Sequence, residues 1–252
     1  MATIVGVHGA FHQLWGPHEV AGRWVPAIRD GLWHADATID PDNVAMAFYG
    51  DLFRSNVADG RPSDDDLLHI AQDAGLTDVI AAVAGPDGLE AIAKAVGKQT
   101  FRQLINQLGR YFTDDELRAV ARGRVEAVVT PETRVIIAHS MGTVVAYETL
   151  CEHPEWTVET FLTIGSPLGG DWVFDHLRPP VADEVGVWPG SIERWVNVAS
   201  VGDEACAEPK LARRFGDRVI DLGVDNGHRA HDPEPYLNAP TTGRALASAL
   251  RS

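Results

Sequence analysis

Val135-Ile136-Ile137-Ala138-His139-Ser140-Met141-Gly142-Thr143 is the stretch on which the fold turns. Its apolar, β-branched first half reads as a buried strand, and the residues from Met141 onward read as a helix, with Ser140 at the junction. Small residues stand two before and two after the serine, at Ala138 and Gly142. A sharp strand-to-helix turn strains the serine backbone and brings those two positions close together, so bulky side chains there would clash. The pattern is that of a nucleophile elbow, the turn that exposes a serine hydroxyl at the top of an α/β sheet. Alanine stands where the first small residue is usually glycine.

Outward from this stretch, short β-branched runs alternate with longer helical patterns, which predicts a mostly parallel central sheet flanked by helices. Strands are expected at Thr3–Val7, Asn43–Tyr49, Glu159–Ile164, Arg194–Ala199 and Arg218–Leu222. Val20, Trp24, Ala27, Ile28 and Leu32 form one apolar face of a helix over about 18–33, and further helices follow over Met141 to Glu152 and about 241–250. Residues 171–190 read as an irregular connection. The Ala- and Leu-rich segment 63–124 is broken at Gly85-Pro86-Asp87-Gly88 and again near Gly97 and Gly109. It reads as several helices, part packed on the sheet and part forming a lid. Within it, Thr113-Asp114-Asp115-Glu116 has the form of an N-cap followed by an acidic first turn. No repeat or linker divides the chain, so residues 1–252 are expected to form one α/β domain with a helical lid insertion.

The 252 residues carry 45% hydrophobic and 23% charged side chains, ordinary values for a globular protein. A net charge of −15 argues against a nucleic-acid partner, which is bound through Lys/Arg contacts to phosphate, and against an anionic membrane surface. No apolar run approaches the roughly 20 residues of a membrane span. The N-terminus reads as a core strand, not a signal peptide, and Cys151 and Cys206 form neither a disulfide framework nor a metal pattern, so a cytoplasmic location is expected. Asp64-Asp65-Asp66 suits a helix start better than a metal site, and His228 with His231 lacks the further ligands zinc requires. Neither a cofactor nor a metal is expected.

A serine hydroxyl is a poor nucleophile unless a base, usually histidine, takes its proton and a carboxylate orients that base. On this architecture the chain order is Ser, then Asp or Glu, then His, each on a loop after a strand. Asp203 follows the strand ending at Ala199, with Glu204 as the second candidate acid, and both His228 and His231 follow the next strand. An oxyanion hole needs two backbone N–H donors. Met141 offers one, and the loop His8-Gly9-Ala10-Phe11 offers another at Ala10. His8 is expected to brace that loop, His139 to be a packing or hydrogen-bonding neighbour and Ser166 a turn residue. Trp24 is expected in the core, Trp15 at a pocket mouth, and Asp51 in a turn.

Together, His8-Gly9, Ala138-His139-Ser140-Met141-Gly142, Thr163-Ile164-Gly165-Ser166-Pro167, Asn197 to Asp203 and the late histidines make the chain resemble α/β-hydrolases of the serine lipase/esterase type over nearly its whole length. The resemblance implies the α/β-hydrolase fold and a catalytic triad of Ser140, Asp203 and His231, with Ala10 and Met141 as oxyanion donors. It favours His231 over His228 because the family's histidine lies a few residues before an apolar pair, and Tyr236-Leu237 begins five residues beyond His231. The implied activity is hydrolysis of an ester, thioester or amide of a small-molecule or peptide acyl substrate through an acyl-enzyme; fold alone does not choose among these. The rival reading is non-hydrolytic use of the scaffold, as a binding protein, epimerase or cyclase, against which the intact Ser-Asp-His order argues. Haloalkane dehalogenases and epoxide hydrolases resemble this fold but carry aspartate where this chain has Ser140.

Overall fold

Six short strands form the centre of the molecule: β1 (Ile4–Val7), β2 (Val44–Ala47), β3 (Val135–His139), β4 (Thr160–Ile164), β5 (Arg194–Ser200) and β6 (Val219–Val224). The computed structural model describes residues 2–54, 107–181, 184–206 and 208–251. The strand order is β2-β1-β3-β4-β5-β6, and every pairing is parallel. Parallel strands need crossover connections that lay helices on both faces, so the inner strands are buried on both sides and mostly apolar. Accordingly all five residues of β3 and all five of β4 are buried.

Alternation along the strands divides the core into two layers. Ile4, Val135, Ile137, Leu162 and Ile164 pack with Val20, Trp24 and Ile28 of α1 (Pro17–Trp33). Tyr236 and Leu237 of α6 (Pro233–Leu237) and Leu246 of α7 (Pro240–Arg251) join the same layer. Val5, Val7, Ile136, Ala138 and Phe161 face the other way, against α2 (Asp115–Glu126) and α3 (Met141–Glu152). Two short helices, α4 (Asp171–Phe174) and α5 (Ala212–Phe215), close that second layer. Helix α3 lies between the sheet and α2, which is why every residue from Met141 to Leu150 is buried.

The expected elements are present with small shifts. Strand β6 runs two residues past Leu222, and α4 gives the 171–190 connection a helical turn. The cap of α2 is Asp114, whose carboxylate accepts the Leu117 N–H at 3.0 Å, while the Thr113 hydroxyl donates instead to the Gly109 carbonyl at 2.9 Å. Of the expected lid segment, residues 63–106 lie outside the described residues, and with them Asp64-Asp65-Asp66 and the break at residues 85–88. Residues 107–113 are helical and are followed by α2, which packs against α3. Among the described residues, no helix is long and apolar enough to cross a membrane.

The chain reverses its direction of travel across the sheet between β1 and β3, since β2 lies on one side of β1 and β3 on the other. Ligands of open parallel sheets bind outside the carboxyl ends of the strands at such a point, because the two loops there diverge to opposite faces and leave a crevice. Those loops nearly touch. A Cβ added at Gly9 would lie 2.8 Å from the Ser140 Cβ, and one added at Gly142 would lie 2.3 Å from the His8 carbonyl oxygen and 2.6 Å from that of Val7. Both Gly142 contacts are with backbone that cannot swing aside. Gly142→Ala is therefore expected to destabilise the fold by about 1–3 kcal/mol, the range for overpacking a tight site. Urea unfolding would show this as a lowered midpoint at unchanged slope, and an unchanged midpoint would contradict the close approach.

Candidate active site

Ser140 terminates β3 and precedes the first residue of α3, with φ 52° and ψ −132°. A non-glycine residue at such a φ carries on the order of 1–3 kcal/mol of strain and persists only where its surroundings hold it. Here the Ser140 N–H donates to the Ile164 carbonyl at 3.2 Å, and the Ser140 carbonyl accepts the Thr143 N–H at 2.9 Å and the Thr143 hydroxyl at 2.7 Å. The Thr143 hydroxyl is also 2.8 Å from the Ser166 hydroxyl, so Ser166 is more than a turn residue: it ties the loop after β4 to the start of α3.

The side chain of Ser140 meets His231, with Oγ 2.9 Å from the imidazole Nε2. On the far side of the ring, Nδ1 lies 2.9 Å from Asp203 Oδ1 and 3.0 Å from Oδ2. The Asp203 side chain is fully buried, whereas that of His231 is 39% exposed, so the chain of contacts runs from a closed interior to an open face. His228 and Glu204, the alternatives, are both exposed. The loop after β6 places His228 in a short turn at Gly227–Arg229 and brings His231 back over the sheet edge.

Asp203 has further donors. The Tyr236 hydroxyl donates to Oδ2 at 2.6 Å and in turn accepts the Ser200 N–H at 2.8 Å, and the Ala205 N–H donates to Oδ1 at 3.0 Å. Burial pushes the Asp203 carboxyl upward, but His231, Tyr236 and Ala205 outweigh it and hold the group below its ordinary value. It stays anionic, which favours the His231 tautomer with its proton on Nδ1 and leaves Nε2 free to accept from Ser140.

Met141 follows Ser140 in the chain and Ala10 lines the same cavity, and neither N–H donates a hydrogen bond among the described residues. Met141 is the first residue of α3, where the amide lacks an intrahelical acceptor. In the β1 loop, the neighbouring Phe11 N–H is taken by the Gln107 side chain at 2.9 Å, whereas the Ala10 N–H has no acceptor among the described residues. A cavity of about 280 Å³ opens at this point, lined among others by Ala10, Trp15, Arg23, His139, Ser140 and His231. Trp24 is buried in the core and also lines this cavity, and Asp51 sits in a turn paired with Arg124 at 3.1 Å. Among the described residues, no group of three or more His, Cys, Asp or Glu side chains is arranged to hold a metal ion.

Two further histidines hold the site while remaining neutral. His8 Nδ1 donates to the Gly9 carbonyl at 2.7 Å, and its Nε2 accepts the Tyr49 N–H at 3.2 Å. His139 Nε2 donates to the His231 carbonyl at 2.8 Å, and the two rings lie 4.7 Å apart. Burial lowers His8 to about 3, helped by His12 and opposed by the Gly9 carbonyl. Burial also takes His139 well below its ordinary value, with His231 adding to the shift. The sequence anticipated the brace at His8 and a packing or hydrogen-bonding role for His139; it had no signal for the Tyr236 contact to Asp203 or for His231 as the partner of His139, which join residues distant along the chain.

A histidine depressed in the folded state contributes stability that is present above its unfolded pKa, about 6.5, and is lost as pH falls toward the folded value. For His8 that window runs from about 6.5 to about 3. Between pH 7 and 5, His8 alone is expected to remove on the order of 2 kcal/mol. His139 and His12, both lowered chiefly by burial, act in the same direction. His153 opposes them, because Glu155 and Glu126 outweigh its burial and raise it. Urea midpoints at pH 7, 6 and 5 are expected to fall in that order, and a midpoint that rises on acidification would contradict the neutral burial of His8 and His139.

Comparison with known proteins adds no relative to this picture. No family model, curated protein or solved structure matches the chain. The functional reading therefore stands on the site itself.

Proposed function

We propose that the protein is a serine hydrolase of the α/β-hydrolase type, acting on an ester or thioester, with amides as the next class. The observation that carries this reading is the unbroken hydrogen-bond chain from Ser140 through His231 to buried Asp203, together with backbone N–H groups at Ala10 and Met141 that have no acceptor among the described residues. A structural serine needs none of this; a nucleophile needs all of it.

In the proposed reaction His231 Nε2 takes the Ser140 proton as Oγ attacks the acyl carbonyl carbon. The carbonyl electrons move to oxygen, where the Ala10 and Met141 N–H groups receive the negative charge. His231 then donates its proton to the leaving group as the carbon–leaving-group bond breaks, giving the acyl-enzyme. Water, deprotonated by the same nitrogen, attacks the acyl carbon, and the second collapse returns the proton to Ser140 and releases the acid. Asp203 keeps the imidazole in the required tautomer and stabilises the imidazolium formed at each step. The direct test is labelling of the native protein by a fluorophosphonate, with a series of p-nitrophenyl esters of increasing chain length to report the acyl group the cavity accepts. A folded native protein that neither labels nor turns over any ester would overturn the proposal in favour of a non-hydrolytic scaffold.

A further inference from the structure

The Ala10 donor depends on a loop whose conformation is costly. Phe11 has φ 68°, a left-handed conformation that a bulky side chain keeps only when its neighbours hold it. Three side chains, His8, His12 and Gln107, fix the peptide planes on either side of Ala10. The Gly9 carbonyl is held by His8 Nδ1 at 2.7 Å, and the Ala10 carbonyl by His12 Nδ1 at 2.7 Å. The third contact comes from 96 residues away, where Gln107 Oε1 accepts the Phe11 N–H at 2.9 Å. Because a peptide's C=O and N–H point in opposite directions, holding these planes sets the direction of the Ala10 N–H.

Gln107 is itself fixed. It is 2% exposed, and its amide nitrogen donates to Gln13 Oε1 at 2.8 Å, Gln13 being 8% exposed. The assignment of these atoms follows from chemistry: an N–H can only donate, so Gln107 must present oxygen to Phe11 and nitrogen to Gln13. The buried amide of Gln107 thus grips the loop at two points, the Phe11 N–H and the side chain of Gln13.

We propose that Gln107 is a positioning residue for the oxyanion hole, holding Phe11 left-handed so that the Ala10 N–H faces the reacting carbonyl. This role rests on the serine hydrolase reading. Without Gln107 the Phe11 N–H has no acceptor, the residue relaxes toward negative φ, and the Ala10 N–H turns away from the oxyanion.

The test compares native enzyme, Gln107→Leu and Gln107→Glu on the best p-nitrophenyl ester, with fluorophosphonate labelling rates and hydrogen exchange at the Phe11 amide. Loss of an oxyanion donor costs about 10²–10³ in kcat, so misdirecting one is expected to cost Gln107→Leu about 10–100-fold, with KM within about threefold. Labelling is expected to slow in parallel and Phe11 exchange to quicken. Gln107→Glu keeps the acceptor for Phe11, and the Gln13 amide can turn over to donate to it, so most of kcat is expected to return. A purely structural role predicts no such split between kcat and KM and no rescue by glutamate. A folded Gln107→Leu enzyme with native kcat overturns the proposal, as does an equal loss in the two variants. If Gln107→Leu does not fold, Gln13→Leu, which frees the Gln107 amide without removing it, is expected to lower kcat in the same direction, and an unchanged kcat overturns the proposal. A native enzyme that neither labels nor turns over an ester sinks the hydrolase reading and this role together; an active native enzyme with indifferent variants sinks this role alone.

Discussion

Ser140→Ala is expected to lose all labelling by a fluorophosphonate and at least about 10⁴-fold in ester turnover, the cost of removing the nucleophile from comparable triads. The reagent reports the same chemistry as the substrate: Oγ attacks phosphorus, fluoride leaves, and a stable phosphonyl-serine remains. Without Oγ, the His231–Asp203 pair and the Ala10 and Met141 donors can still activate and receive, but no acyl-enzyme forms. The substitution is mild for the fold. The Oγ contact is to His231, while the backbone bonds to Ile164 and Thr143 that hold the turn are untouched. Equal urea midpoints for native and variant would place the loss in chemistry and not in folding. Retained labelling in a folded Ser140→Ala protein, or a tagged peptide that lacks Ser140 in the native one, would remove this serine as the nucleophile.

The legibility of this site in the sequence follows the range of the interactions that build it. The elbow is local: apolar strand, serine and helix are contiguous, and the small residues at Ala138 and Gly142 announce the crowding that the structure places against the His8 and Val7 carbonyls. Strand ends order the loops, so Asp203 and the two late histidines were readable as candidates, although the choice between His228 and His231 needed the resemblance as well. Contacts that close over long separations left no mark. Nothing near Gln107 predicts that it meets Phe11, and nothing in Pro233-Glu234-Pro235-Tyr236 says that the tyrosine hydroxyl will cap a carboxylate before the strand β6. One long-range feature did leave a trace. Glu148 is a charge inside Val144-Val145-Ala146-Tyr147-Glu148-Thr149-Leu150, a helix too apolar to have a wet face, and a carboxylate in that position requires a buried partner.

That partner makes Glu148→Leu the largest stability change expected from a single substitution away from the reacting atoms. Glu148 is fully buried and receives Arg118 through both of its oxygens, with Arg118 Nε at 2.9 Å from Oε2 and Nη2 on Oε1. It also accepts the Tyr111 hydroxyl at 2.8 Å and the Arg178 N–H at 3.1 Å, and Arg122 stands 3.7 Å away. Arg118 is 2% exposed and gives its other bond to the His176 carbonyl, so it cannot turn to water when its acceptor is removed. Breaking a buried ion pair from one side costs about 3–5 kcal/mol because the remaining charge is stranded. For a domain of this size that corresponds to a fall in Tm on the order of 10 °C. The exposed pair of Arg124 with Asp51 is the control, and Arg124→Ala is expected to change stability by less than about 1 kcal/mol. Similar small losses in both variants would mean that the Glu148 cluster is open to water. The cluster also bears on the proposed chemistry, since it joins α3, which begins directly after Ser140, to α2 and to residues 107–113, which carry Gln107. The turn at Ser140 and the loop after β1 thus meet directly at Gly9 and Gly142, and indirectly through Glu148, Tyr111 and the helical segment that carries Gln107.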